Sequence, residues 1–152
     1  MAIFTVTNLN DSGTGSLRQA ILDSNNQSGA DTITFHSSFK DQRIVLAGTE
    51  LTITDDLTID GDIDNDGSAD ITVDANQQSR VLTVFDGDYW NYKTVTLDGL
   101  IIENGNVAGN GAGIYNWETL TLSNSSLLNN TASGRGGGLL TQFGATVINN
   151  SS

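Results

Sequence analysis

The chain has 152 residues, enough for a substantial core, and carries 18 acids against 6 bases for a net charge of −12. That balance argues against nucleic acid and anionic lipid as partners and leaves divalent cations as natural ones. No apolar run is long enough for a membrane helix, so no membrane insertion is expected, and the absence of cysteine rules out a disulfide framework or thiolate metal site.

The 18 Thr, 16 Asn, 15 Asp and 17 Gly, with no Pro, favour many short strands joined by tight turns. The opening MAIFTVTNLN has no basic region followed by an apolar run, so no secretory signal is expected within it. Residues 3–7 alternate as a strand does, and a polar turn follows over 8–15. SLRQAILDSNN then predicts a helix over 16–23. Ser16 is a good N-cap, Gln19 completes a capping box, and Leu17, Ala20, Ile21 and Leu22 supply the apolar stripe. A single amphipathic helix beside a β-rich remainder reads as a cap over residues 1–31.

From residue 32 onward the chain is a series of short alternating runs, at 32–35, 43–46, 51–54, 57–60, 71–74, 81–85 and 94–97. More follow at 100–103, 112–115, 119–122, 126–128, 138–140 and 145–148. Residues 94–118 laid over 119–143 give seven identities: Thr94/Thr119, Thr96/Thr121, Leu97/Leu122, Asn104/Asn129, Gly109/Gly134, Gly111/Gly136 and Gly113/Gly138. A third copy begins at ATVINNSS and stops after one strand. Thr-x-Thr starts at 32 and 52 imply a shorter module of about 20 residues upstream, with 71–93 as a further turn.

Such a period predicts an all-β, right-handed parallel β-helix, or solenoid, with an N-terminal capping strand and short helix. Residues 32–152 would form about five coils, the last one truncated, leaving an edge able to pair with another copy. Val95, Leu97, Leu120 and Leu122 should point inward and the threonines outward, while the glycine runs turn the corners.

VTNLNDSGTGSLRQAILDSNNQSGADTITF resembles the N-terminal cap segment of bacterial extracellular parallel β-helix repeat proteins, which carries a CSLREA-like motif. Here the motif reads Ser16-Leu17-Arg18-Gln19-Ala20, without the Cys and with Gln for Glu. GAGIYNWETLTLSNSSLLNNTASGRGGGL looks like the repeats that follow in those proteins. The resemblance implies a large secreted or surface-bound protein with adhesive or structural roles. Some cyanobacterial members begin in a similar way, and the resemblance to them implies export by a route read at the far C-terminus.

Asp62-Ile63-Asp64-Asn65-Asp66-Gly67-Ser68-Ala69-Asp70 is the sharpest local motif. Alternate carboxylates before a glycine can converge on a hard cation. Asp62, Asp64 and Asp66 would ligate calcium by carboxylate, Ser68 by its carbonyl, and Asp70 directly or through water, with Asp60 or Asp74 available to complete the set. Val73 replaces the terminal Glu of an EF-hand, so this would be a calcium loop between strands. Eight acids fall within 55–74 with no Lys or Arg among them, and their repulsion favours a cation. The alternative is a solvated Asp/Gly turn.

Tyr89, Trp90 and Tyr92, beside Asp86 and Asp88, could stack on sugar faces of a polysaccharide or cell-surface glycan, or fold back over a neighbouring loop. The Thr-x-Thr pairs at 5/7, 32/34, 52/54, 94/96 and 119/121 raise a third reading, an ice-binding threonine array. For catalysis, Arg43 and Arg80 are the arginines expected on coil faces, and no acid pair is marked out near them. His36 reads as a turn residue, and neither glycine run is a phosphate loop. The expectation is a non-catalytic, calcium-stabilised extracellular scaffold. The main alternative is a carbohydrate-binding or polysaccharide-cleaving β-helix.

Overall fold

A computed structural model describes all 152 residues. The alternating apolar residues form sixteen strands, every pairing between them is parallel, and the chain winds as a β-solenoid of about five turns. The first strand, β1 (Ile3–Val6), precedes the lone helix α1 (Leu17–Asn25). Each turn then supplies one strand to each of three sheets. The first turn contains β2 (Asp31–Phe35), β3 (Gln42–Val45) and β4 (Leu51–Ile53). The second contains β5 (Leu57–Asp60), β6 (Ile71–Asp74) and β7 (Leu82–Val84).

The third has β8 (Thr94–Asp98), β9 (Leu100–Glu103), the short β10 (Asn106–Val107) and β11 (Ile114–Asn116). The fourth repeats it with β12 (Thr119–Ser123), β13 (Ser126–Leu128), β14 (Thr131–Ala132) and β15 (Leu139–Thr141), and β16 (Ala145–Asn149) follows. The largest sheet runs β1-β2-β5-β8-β12-β16, with β3-β6-β9-β13 and β4-β7-β11-β15 completing the walls.

The repeat alignment is reproduced residue for residue: Thr94 lies level with Thr119, Leu97 with Leu122, Ile102 with Leu127 and Ile114 with Leu139. Val95, Leu97, Leu120 and Leu122 are buried, inside one core cluster of 25 residues running from Val6 to Leu122. Asn104 and Asn129 both take left-handed backbone, as their matched turn positions require.

The 20-residue module is corrected. Thr32 stands level with Thr58, and Thr52 belongs to another wall, level with Thr83. Residues 71–74 share their turn with 57–60 and do not begin a new one. From β2 onward in the largest sheet, the step between turns is 25 or 26 residues, stretched to 38 between β5 and β8, while the other walls step by 25 to 32. Two insertions make the difference: residues 61–70 between β5 and β6, and residues 85–93 between β7 and β8. The outward threonines of the largest sheet make one full column and one broken one. Thr32, Thr58, Thr96 and Thr121 form one column, but the next runs Thr5, Thr34 and then meets Asp60 and Asp98. Level with Asp98, Asp60 has its carboxyl pushed up by burial and by the charges of Asp98 and Asp62.

The helix caps one end. Leu17, Ala20, Ile21 and Ser24 are buried against β1, β2 and β4, while Leu22 is 47% exposed and lies off the stripe. Ser16 Oγ accepts the Gln19 amide as the box predicts, but the Gln19 side chain turns to Asp23 instead of returning to Ser16. Arg18 does the stitching. It donates to the carbonyls of Asp11, Thr49 and Glu50 and pairs with Asp11, tying the cap to the end of the first turn. At the opposite end Leu128, Val147 and Ile148 are exposed, and β16 has a free edge.

Candidate functional site

The 61–70 insertion leaves the solenoid where two glycine backbones touch. A Cβ on Gly61 would lie 2.6 Å from the Gly99 carbonyl oxygen, and one on Gly99 would lie 2.7 Å from Asp62 Cα. Gly99 also has φ of +65°, so only glycine fits without strain. Above this contact the loop is shaped by its own acids. Asp62 accepts from the amides of Asp66 (3.0 Å) and Gly67 (2.9 Å), and Asp70 accepts from the Ile63 amide (2.8 Å). Gly67, with φ of +80°, makes the sharp turn, and Asp66 takes both the amide and the hydroxyl of Ser68.

The alternating acids do converge. Ligand oxygens of Asp62, Asp64 and Asp70 lie within 4.8 Å of one another, two of the residues buried and Asp64 exposed. Asp66 joins at the rim, 3.7 Å from the same cation that Asp64 and Asp70 hold. That cation is the Lys40 ammonium, 2.5 Å from Asp64 and 3.1 Å from Asp70. Hydrogen bonds to Asp64 and then Asp70 hold it charged well above the ordinary lysine range. Its bond to Ser68 and the nearby Lys40 charge hold Asp66 below the usual carboxylate range.

The expectation of unpaired repulsion within 55–74 is therefore corrected: bases from other turns reach the acids. Lys40 serves the loop, Lys93 pairs with Asp55 at 2.9 Å, and Arg43 pairs with Asp74 at 2.6 Å. Winding brings together charges 24 to 38 positions apart, which local sequence cannot display. Asp74 and Asp60 do not complete the loop, because Asp74 is engaged by Arg43 and Asn104 and Asp60 accepts the Asp62 amide.

Arg43 also overturns the expectation that no acid pair accompanies it. Asp74 and Glu103 stand level on adjacent strands, both buried, and both accept from the Arg43 guanidinium and the Asn104 amide. Burial works against the charged form of Asp74, yet donors from Asn104, Asn76 and Arg43 outweigh it and hold the carboxyl below its ordinary range. No cavity opens beside this pair. His36 sits in a turn, as expected, capping a short 3-10 helix through Ser38.

Comparison with protein-family models, curated proteins and solved structures finds no match to this chain.

The 85–93 insertion forms the second candidate. Its ends are held by Glu118, a buried residue whose carboxylate accepts the amides of Asp86 (3.2 Å) and Lys93 (2.8 Å). Burial pushes the Glu118 carboxyl up, and these two amides only partly offset it. Tyr89 folds back onto a ring cluster, 5.2 Å from Phe85, 5.6 Å from Trp117 and 6.1 Å from Phe143 between centroids. Phe85, Trp117 and Phe143 climb successive turns at 4.9 and 5.2 Å, and Tyr115 joins Trp117 at 5.3 Å. Trp90 stands off the cluster with 91% of its surface exposed, and Tyr92 is 46% exposed. The sequence identified Tyr89, Trp90 and Tyr92 but missed Phe85 and Phe143, whose shared corner emerges only when turns are stacked.

Proposed function

We propose that this chain is the capped beginning of a larger secreted or cell-surface β-solenoid, non-catalytic, with a structural and adhesive role and stabilised by calcium. The resemblance of the 6–35 segment to bacterial extracellular caps supports the setting. The convergence of Asp62, Asp64 and Asp70 within 4.8 Å is the observation that carries the calcium reading. Asp62 and Asp70 each accept backbone amides that shape the loop, and their remaining lone pairs join Asp64 in facing the ion, with Asp66 at the rim. The Ser68 carbonyl and water complete an oxygen set suited to a hard cation. Calcium displaces the Lys40 ammonium, which occupies the same carboxylates, and carries twice its charge.

Thermal melts in chelator and in calcium test this. With a dissociation constant of about 1 mM, as in extracellular modules, roughly 10 mM calcium adds about 1.4 kcal/mol. For a chain of this size that raises Tm by roughly 3–6 °C. Asp64→Asn removes most of the shift. Identical melts with and without calcium contradict the reading.

Glycan binding is the second reading, and the exposed aromatic residues of the 85–93 corner favour it.

A further inference from the structure

The aromatic corner has a chemical sign as well as a shape. Tyr89, Trp90, Tyr92 and Phe143 expose between 46% and 91% of their surfaces on one side of the solenoid, over a floor of Phe85 and Trp117. Apolar faces of this size are costly to leave in water and, on a chain this polar, mark a contact surface. The rings rise one per turn along the solenoid axis, at centroid steps of 4.9 and 5.2 Å. Tyr89 covers part of this ladder, so a polysaccharide laid along it meets Tyr89, Trp90 and Phe143 as its open ring faces.

The surrounding charge selects the sugar. Asp86 and Asp88 lie within the insertion, and neither forms a salt bridge; Asp88 is exposed and accepts the Trp90 amide, while Asp86 is half-buried beside Glu118 and accepts the Asp88 amide. Lys93, the base of this insertion, is already paired with Asp55. Arg80, at the Tyr115 end, is paired with Glu50. A polyanionic glycan therefore meets an excess of carboxylates over the single base Lys93, on a chain whose net charge is −12. A sugar bearing an ammonium group meets carboxylates and ring faces together, and both attract it.

We propose that the 85–93 corner, with Trp117 and Phe143, docks a linear polysaccharide of cationic amino sugars. This rests on the glycan reading of the corner and not on calcium at the acidic loop. Rings stack on the apolar sugar faces, with Trp90 as the projecting one, while Asp86 and Asp88 receive the ammonium groups.

The test titrates the full chain with glucosamine hexamer at a pH that keeps its amines protonated, following tryptophan fluorescence and calorimetry. The neutral N-acetylglucosamine hexamer and oligogalacturonate serve as comparison ligands. Glucosamine hexamer should bind best, weaken with added salt, and lose roughly tenfold in affinity in Trp90→Ala and in Asp86→Asn/Asp88→Asn. Trp90 makes no ring contact, so its removal leaves the fold intact, which an unchanged melt verifies. Leu128→Ala, remote in sequence and lying in another sheet, should bind as the parent does.

Equal or tighter binding of the neutral hexamer overturns the amino-sugar assignment while leaving the glycan reading standing. Binding of none of the three at millimolar concentration overturns both. Concentration-dependent dimerisation that Trp90→Ala abolishes would assign the surface to a second copy and overturn the proposal as well.

Discussion

Leu97→Ala probes how the stacked turns hold one another. Leu97 is fully buried in β8, level with Ile59 below and Leu122 above, and all three lie in the same core cluster. Truncation removes three carbons from the middle of the ladder. Strands on both sides are fixed by continuous parallel pairing, so the cavity cannot collapse readily, and the cost falls in the upper part of the range for buried leucine, about 3–4 kcal/mol. For a chain of this length that corresponds to a fall in Tm of roughly 10 °C. Leu128, in β13 at the open end and 41% exposed, supplies the contrast: Leu128→Ala should cost under about 1 kcal/mol. Urea unfolding followed by circular dichroism measures both, with unchanged m-values as the check that the same surface unfolds. A Leu97→Ala loss below about 1 kcal/mol, or one equal to that of Leu128→Ala, refutes the stacked-core account.

Gly99→Ala should cost roughly 2–4 kcal/mol, because the new Cβ meets the Gly61–Asp62 backbone and the residue has φ of +65°; a melt within 1 °C of the parent contradicts the close approach at that corner. The pH profile has two opposing parts. Asp74 and Asp55 have lowered carboxyl values, each despite burial, so their stabilisation is present at neutral pH and lost as pH falls through the native values. Glu118 is raised, so its contribution is present in acid and lost as pH rises through its native value. Urea midpoints between pH 3 and 7 should therefore be lowest in acid, flatter in Asp74→Asn, and steeper in Glu118→Gln. An unchanged slope in Asp74→Asn contradicts the assignment.

Much of the fold was readable because inward residues repeat visibly in 94–143, where one turn follows another without insertion. The runs at 57–60, 71–74, 100–103 and 126–128 coincide with strands to the residue. The second turn was misread because its two insertions break the period, and Thr52 mimics Thr32 from a different wall. The acidic loop was legible as alternating carboxylates. Its Lys40 partner was not, since that base lies 24 residues before Asp64, with β3, β4 and β5 between them. Arg43 with Asp74 and Glu103 was hidden for the same reason: vertical neighbours in a solenoid are separated by a whole turn of sequence. Glu118 gave no signal at all, because its role is to hold the ends of a loop that begins 32 residues earlier.

Calcium titration followed by amide chemical shifts, on the uniformly labelled chain, tests the central functional claim most directly. The account predicts saturable shifts concentrated at residues 61–70, with the Lys40 side chain responding as its ammonium leaves the carboxylates, and little change at the 85–93 corner. Resonances of 61–70 that stay in place through millimolar calcium, with Lys40 unmoved, would contradict it.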